Sequence, residues 1–357
     1  MKITKVNVKP ILLPLKVPFK IALGEDVEYE GVVVEIETDN GLTGIGEISP
    51  SHRITGETVG ASISIMQTDI IPQIMDENPL FIAKLMDKVN ARIIFNPSVK
   101  CAVDIALHDI LGKYLGMPLK TILGGFRESI TTSITIGIKS ISETIEEGKS
   151  FVTNGAKVIK IKIGLDPEED IEKIRLLREE LGYKLAIRVD ANQGYDPRTA
   201  IKVLRKLEKY EIEFVEQPVA YWDIKGLKFV KNNTDIPVMA DESIHSIYDA
   251  INLIREEACD LFNIKLMKAG GIKAGAKIAA IAESAGIPCM IGCMVETRIG
   301  IAAATHLALA TKNIKYADLD GHLMLRKDVV DGGVFTENGE NKVTDKSGLG
   351  VTMIENN

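Results

Sequence analysis

The chain carries only four cysteines in 357 residues (Cys101, Cys259, Cys289 and Cys293), and no two of them form a Cys-x-x-Cys pair. That excludes a disulfide framework and a cysteine-based zinc site, and it predicts small core residues in a reducing cytoplasm. Basic excess is also absent. Lys and Arg number 43 against 50 Asp and Glu, for a net charge of -7, so there is no electrostatic footprint for nucleic acid. No apolar run approaches transmembrane length. The longest near the N-terminus, Ile11 to Leu15, is short and interrupted by Pro14, which argues against a secretory signal. What remains is 45% hydrophobic and 26% charged, an ordinary globular composition long enough for one large domain and a smaller one.

The first ~125 residues read as strands followed by helices, the order of an α+β domain. Val6 and Val8 alternate with polar neighbours, and Val32 to Thr38 runs into Asp39-Asn40-Gly41, which predicts a hairpin with a type I′ turn. The string Gly41-Leu-Thr-Gly-Ile-Gly46 leads into no helix and is read as hairpin geometry. Val103, Leu107, Ile110, Leu111 and Tyr114 fall at helical spacing, ending near Gly116 and Pro118. From about Thr131 the pattern becomes βαβα, with strands beginning near Ser133, Val158, Leu185, Ile212, Pro237, Leu261, Ile287 and Lys315. A strand plus a helix every ~25 residues is the unit of a parallel (β/α) barrel. A doubly wound open sheet fits less well, because polar residues recur at strand ends around the whole array rather than at one switch point.

Those polar residues carry the chemistry. Lys160-Ile-Lys162 alternates with Val and Ile on one strand, so both lysines face the same way. Asp190, Glu216, Asp241 and Lys265 then end successive strands at intervals, counted from Lys162, of 28, 26, 25 and 24 residues. In a barrel such ends converge on one mouth. Three neighbouring carboxylates cannot all stay ionised without a cation, and with no His or Cys beside them the fitting ion is hard, Mg²⁺. Lys162 on the second strand and Lys265 on the sixth would stand on opposite sides of a substrate carboxylate's α-carbon. One would remove the α-proton and the other return a proton to the opposite face, with the metal stabilising the enediolate. Burial, the metal and Lys160 are expected to depress the lysine pKa for this task.

These motifs, with Ala102-Val-Asp-Ile-Ala-Leu-His-Asp109, Asp190-Ala-Asn192, Glu216-Gln-Pro218, Asp241-Glu-Ser243, Asn263-Ile-Lys265 and Gly270-Gly271, resemble the enolase superfamily, muconate-lactonising-enzyme subgroup. The resemblance spans the chain. It implies a modified (β/α)8 barrel, (β/α)7β, over residues 126–321, with an α+β capping domain over 1–125 completed by about 322–357. It implies one Mg²⁺ per subunit on Asp190, Glu216 and Asp241, Lys162 and Lys265 as the acid/base pair, and Lys160 as electrostatic support, with Lys268 set aside as three residues beyond the motif. Tyr316-Ala-Asp318-Leu-Asp320 is similar to the Asp-x-Asp motif with which dipeptide epimerases hold a substrate's α-ammonium group, and two carboxylates suit a cation there. The implied activity is L-Ala-D/L-Glu-like dipeptide epimerisation by a cytoplasmic homo-oligomer with no nucleic-acid or membrane partner. The alternatives are N-acylamino acid racemase, o-succinylbenzoate synthase and muconate cycloisomerase. Gly24 stands where an arginine for the glutamate side chain is expected, leaving Arg53, Lys20 and Arg298 as substitute cations, with Glu296 near Arg298. Thr135 and Met294 complete the expected substrate-binding positions.

Overall fold

A computed structural model describes residues 1–354. Three antiparallel strands open the chain, β1 (Ile3–Ile21), β2 (Gly24–Thr38) and β3 (Thr43–Ile48), in the order β1-β2-β3. Strand alternation sends Val33 and Ile45 into the core shared with the barrel, while Val32, Val34 and Ile36 pack on helices of the first unit. β2 and β3 thus carry apolar residues on both faces, a layer between their own helices and the barrel.

The β2–β3 turn departs from type I′. Only Gly41 has positive φ, at +84°, whereas that turn needs two such residues; Thr38 closes it instead, its Oγ1 donating to the Leu42 carbonyl at 2.7 Å. The other two glycines of the string serve packing rather than the hairpin. The helix Pro97–Leu115 crosses β3 so closely that a Cβ on Gly44 would lie 2.1 Å from the Ala106 carbonyl oxygen, and one on Gly46 2.0 Å from that of Ala102. That helix ends where the sequence predicts, with Gly116 left-handed at φ +67°.

Eight parallel strands follow in sequential spatial order: Ile134–Ile136, Val158–Lys162, Ala186–Asp190, Ile212–Glu216, Val238–Ala240, Leu261–Lys265, Cys289–Gly292 and Ile314–Asp318. A bridge between Thr132 and Ala317 brings the first strand beside the eighth, so the barrel is nearly closed. Helices follow the first seven strands. Most start on a side-chain cap: Ser140 with Glu143, Asp166, Asp196, Asp223, Ser246 and Thr297. The eighth strand ends instead in a 3₁₀ turn, Gly321–Met324.

The chain then returns to both layers. Glu340–Val343 pairs with Ile130–Thr131 ahead of the first barrel strand, and Arg326 donates to the carbonyls of Pro14 and Leu15 on β1. Of the expected closing segment 322–357, residues 355–357 lie outside the described residues. Among the described residues no helix is long and apolar enough to cross a membrane.

Candidate active site

Strand register builds the site. Lys162, Asp190 and Glu216 are direct neighbours across the second, third and fourth barrel strands, and Lys265, Gly292 and Asp318 across the sixth, seventh and eighth. Asp241 follows the end of the fifth strand. Lys160, Lys162, Lys265, Asp190, Glu216, Asp241 and Asp318 are all buried.

Buried charge of this density must be compensated, and here lysines and carboxylates compensate one another. Lys160 Nζ lies 2.7 Å from Asp318 Oδ2, 2.8 Å from Glu216 Oε2 and 2.9 Å from Asp190 Oδ2. Lys162 Nζ donates to Asp190 Oδ2 at 2.7 Å and to Asn192 Oδ1 at 2.9 Å. Lys265 Nζ is 2.8 Å from Asp241 Oδ2, and Lys268 donates to the Asp241 carboxylate and carbonyl. Burial would raise the Asp190 carboxyl, but Lys160 and Lys162 outweigh it and hold it at about 2. Asp241 is likewise held well below the usual range, burial being overcome by Lys265 and Lys268. Burial and the adjacent Asp190 push Glu216 up to about 8.

Carboxylate neighbours set the charge of two of the lysines. Burial alone would lower Lys265, but Asp241 and Glu216 overcome it and raise its pKa; Lys160 is raised in the same way by Asp190, Asp318 and Glu216. Only the carboxylate neighbours, invisible in a local window, set that direction.

The donor set suits a hard cation without being assembled for one. Among the described residues no three Asp, Glu, His or Cys side chains gather as ligands around one point, and Lys160 Nζ stands between Asp190 and Glu216. Yet Glu216 Oε2 and Asp241 Oδ2 are buried without a partner in hydrogen-bonding geometry, although each lies 2.8 Å from an ammonium. Carboxylate oxygens held by ammonium groups alone match the all-oxygen preference of Mg²⁺.

A cleft of about 400 Å³ opens over this ring. Lys160, Lys162, Lys265, Asp318 and Asp320 form its floor with Asn192, and Thr135, Arg53 and Met294 also line it. Asp320 Oδ2 accepts from the Thr135 amide at 2.7 Å; burial and Asp318 push its carboxyl up to about 7. Ser133 Oγ donates to Asp318 Oδ1 at 2.5 Å.

Three expected positions stand back from the cleft. Gly24 instead makes room for Arg53, whose Cζ would lie 2.6 Å from a Cβ there. Glu296 is folded inward, accepting from the Met294 amide at 2.8 Å. Arg298 begins the last barrel helix and donates its amide to Asp328. Arg53 itself is engaged, its Nη1 donating to both oxygens of Asp26 at 3.0 and 3.1 Å.

The sequence reading missed Glu242, which is buried, pushed up to about 7 by burial and Asp241, and held by Asn192 Nδ2 at 3.0 Å. Its position directly after Asp241 was the available signal. It also missed Glu47 of β3, which accepts from Tyr29 Oη at 2.6 Å and from the Thr297 and Gly300 amides at 2.8 Å each. Nothing local marks a strand glutamate as the cap of a helix 250 residues away.

With this geometry the chain can be compared with known proteins. Residues 3–124 match the mandelate racemase/muconate lactonizing enzyme N-terminal domain, and residues 143–357 match the enolase C-terminal domain-like family. The chain belongs to the enolase superfamily, in the mandelate racemase/muconate lactonizing enzyme group. It is a racemase or epimerase of the dipeptide epimerase family, whose members differ in substrate. The enzyme is 41% identical to an L-Ala-D/L-Glu epimerase of Clostridium acetobutylicum over 96% of this chain and 97% of the relative. It is 40% identical to an L-Lys-D/L-Arg epimerase of Methylococcus capsulatus over 98% and 99%. The structure of a dipeptide epimerase from Enterococcus faecalis V583, complexed with Mg and L-Leu-L-Tyr, superposes with a TM-score of 0.96 at 41% identity, covering 99% of this chain and 100% of the other.

Proposed function

We propose that the enzyme inverts the α-carbon of the C-terminal residue of a dipeptide by two-lysine proton transfer. The observation that carries this reading is that Lys162 and Lys265, from the second and sixth of eight strands, wall the same cleft as Asp318 and Asp320. One lysine, neutral, takes the α-proton onto Nζ; the other, as an ammonium, delivers a proton to the opposite face of the enediolate. Lys160 stays charged among Asp190, Glu216 and Asp318 and supplies positive potential beneath the substrate carboxylate. Asp318 and Asp320 receive the α-ammonium group, a charge-assisted contact that a cationic amine satisfies and an acylated one does not.

Asp190, Glu216 and Asp241 would hold one Mg²⁺, as the Mg-bound relative and the all-oxygen chemistry of the three side chains both support. When bound, that ion supplies the charge against which a substrate carboxylate turns electron-rich. In domain terms we assign capping to residues 1–125 with the segment after 322, and catalysis to 126–321, in a cytoplasmic homo-oligomer.

Among the described residues, the cleft wall beyond Lys160, Lys162 and Lys265 offers an L-Ala-D/L-Glu substrate one further lysine or arginine, Arg53. Arg53 is paired with Asp26, while Glu25, Glu28 and Glu30 add exposed negative charge to the same wall. A neutral or cationic C-terminal side chain therefore suits the enzyme better than glutamate. The test is incubation with Mg²⁺ and a dipeptide library in D₂O, read by mass spectrometry. Free dipeptides should gain one deuterium, with Ala-Glu behind neutral and cationic members; a wild-type preference for N-acylated amino acids would replace this reading with the racemase alternative.

A further inference from the structure

A second cavity, of about 410 Å³, adjoins the catalytic cleft. Phe19, Thr135, Asp320 and Met324 line both spaces, so Asp320 stands on their common wall. Much of the remaining wall is apolar, with Ile134 from the first barrel strand, Phe151 from the helix after it, and Leu323 from the 3₁₀ turn. Two of its charged residues, Lys139 and Glu147, neutralise each other at 2.5 Å.

The chemistry of a dipeptide makes use of this arrangement. Its α-ammonium and its N-terminal side chain branch from one carbon. With the ammonium on Asp320, the peptide group and the C-terminal residue run into the first cleft, toward Lys162 and Lys265. The side chain on the ammonium-bearing carbon is left to face the adjoining space. We propose that the second cavity is the subsite for the N-terminal side chain and takes a large apolar one. The inference rests on the dipeptide reading of the site and adds to it a substrate class, dipeptides headed by a residue such as leucine or phenylalanine rather than alanine. An alanine methyl would leave most of this apolar space unfilled, whereas a larger side chain buries its surface there.

The experiment holds the C-terminal residue constant and varies the N-terminal one through Ala, Leu and Phe, measuring kcat/KM for epimerisation by the wild type and by Ala156→Phe and Phe151→Trp. Both substitutions narrow the cavity from walls away from the lysines and carboxylates. The wild type should favour Leu or Phe over Ala by about tenfold or more, as differences of a few methylenes in an apolar pocket do. The variants should lose about tenfold on the large substrates and keep the Ala dipeptide within about twofold, a substrate-selective loss that a general folding defect does not produce. A wild type indifferent to the N-terminal side chain, or equal losses on all three substrates in both variants, overturns the subsite while leaving the epimerase reading intact. Absence of turnover on every dipeptide overturns the epimerase reading itself, and the subsite with it.

Discussion

Lys160 Nζ sits 2.7 Å from Asp318 Oδ2, tying the second barrel strand to the eighth. The same ammonium reaches Asp190 and Glu216 on the third and fourth strands, so one buried lysine contacts three carboxylates. Removing one partner of such a cluster leaves uncompensated buried charge.

Lys160→Met should therefore cost roughly 3–5 kcal/mol of stability, the range for breaking a buried ion pair. Millimolar Mg²⁺ should restore part of that loss, because the freed carboxylates gain a cation, and Asp241→Asn in the same background should cancel the rescue. Thermal denaturation with and without Mg²⁺ reads all three. An Mg²⁺-independent melting temperature in Lys160→Met would remove these carboxylates from the metal site.

Lys162→Ala and Lys265→Ala should each abolish epimerisation. Each variant should still exchange the α-proton of one stereoisomer with D₂O, the isomer whose proton faces the remaining lysine. The pattern to look for by NMR is opposite isomers for the two variants. Normal epimerisation by either one takes that lysine out of the acid/base pair.

Asp320→Asn tests the ammonium cradle. A hydrogen bond to a charged group is typically worth ~1.5–3 kcal/mol, or about one to two decades in kcat/KM. Free dipeptides should suffer that loss. An N-acetylated analogue, already slow with wild type, should be nearly unaffected, since it presents no ammonium. Equal losses on both substrates would assign Asp320 a purely structural part.

Glu296 makes stability depend on pH in a direction set by burial. Its carboxyl is pushed from an ordinary 4.5 up to about 8 by burial and by Glu47. A raised carboxyl keeps its proton in the folded state, so its contribution is fully present below the unfolded value and is lost as pH rises through the folded one. Between about pH 4.5 and 8 it therefore subtracts stability as pH increases. Glu296→Gln keeps the shape without the titration, so its melting temperature relative to wild type should rise from pH 5 to pH 8.5. Parallel melting curves at the two pH values would contradict the buried-proton account.

Much of the site was legible because it rests on periods. Alternation along Lys160-Ile-Lys162 puts both side chains on one face, and intervals of 24–28 residues put Asp190, Glu216, Asp241 and Lys265 at or just beyond barrel strand ends. The end of the helix Pro97–Leu115 was legible in the same local way, through Gly116 and Pro118. The glycine string was misread because one spacing serves two purposes: Gly41 turns the chain, while Gly44 and Gly46 admit a helix more than fifty residues away in sequence.

By itself, then, the sequence determined the barrel, the order of its strands and the residues at its mouth, since each follows from a repeat no longer than a strand and a helix. Only the tertiary structure decided how those charges act on one another. That Asp241 and Glu216 surround Lys265, that Arg53 is paired with Asp26, and that Glu47 caps a helix at Thr297 all depend on distances between groups far apart in the chain. Electrostatic interaction is set by separation and burial in space, and neither is written in sequence order.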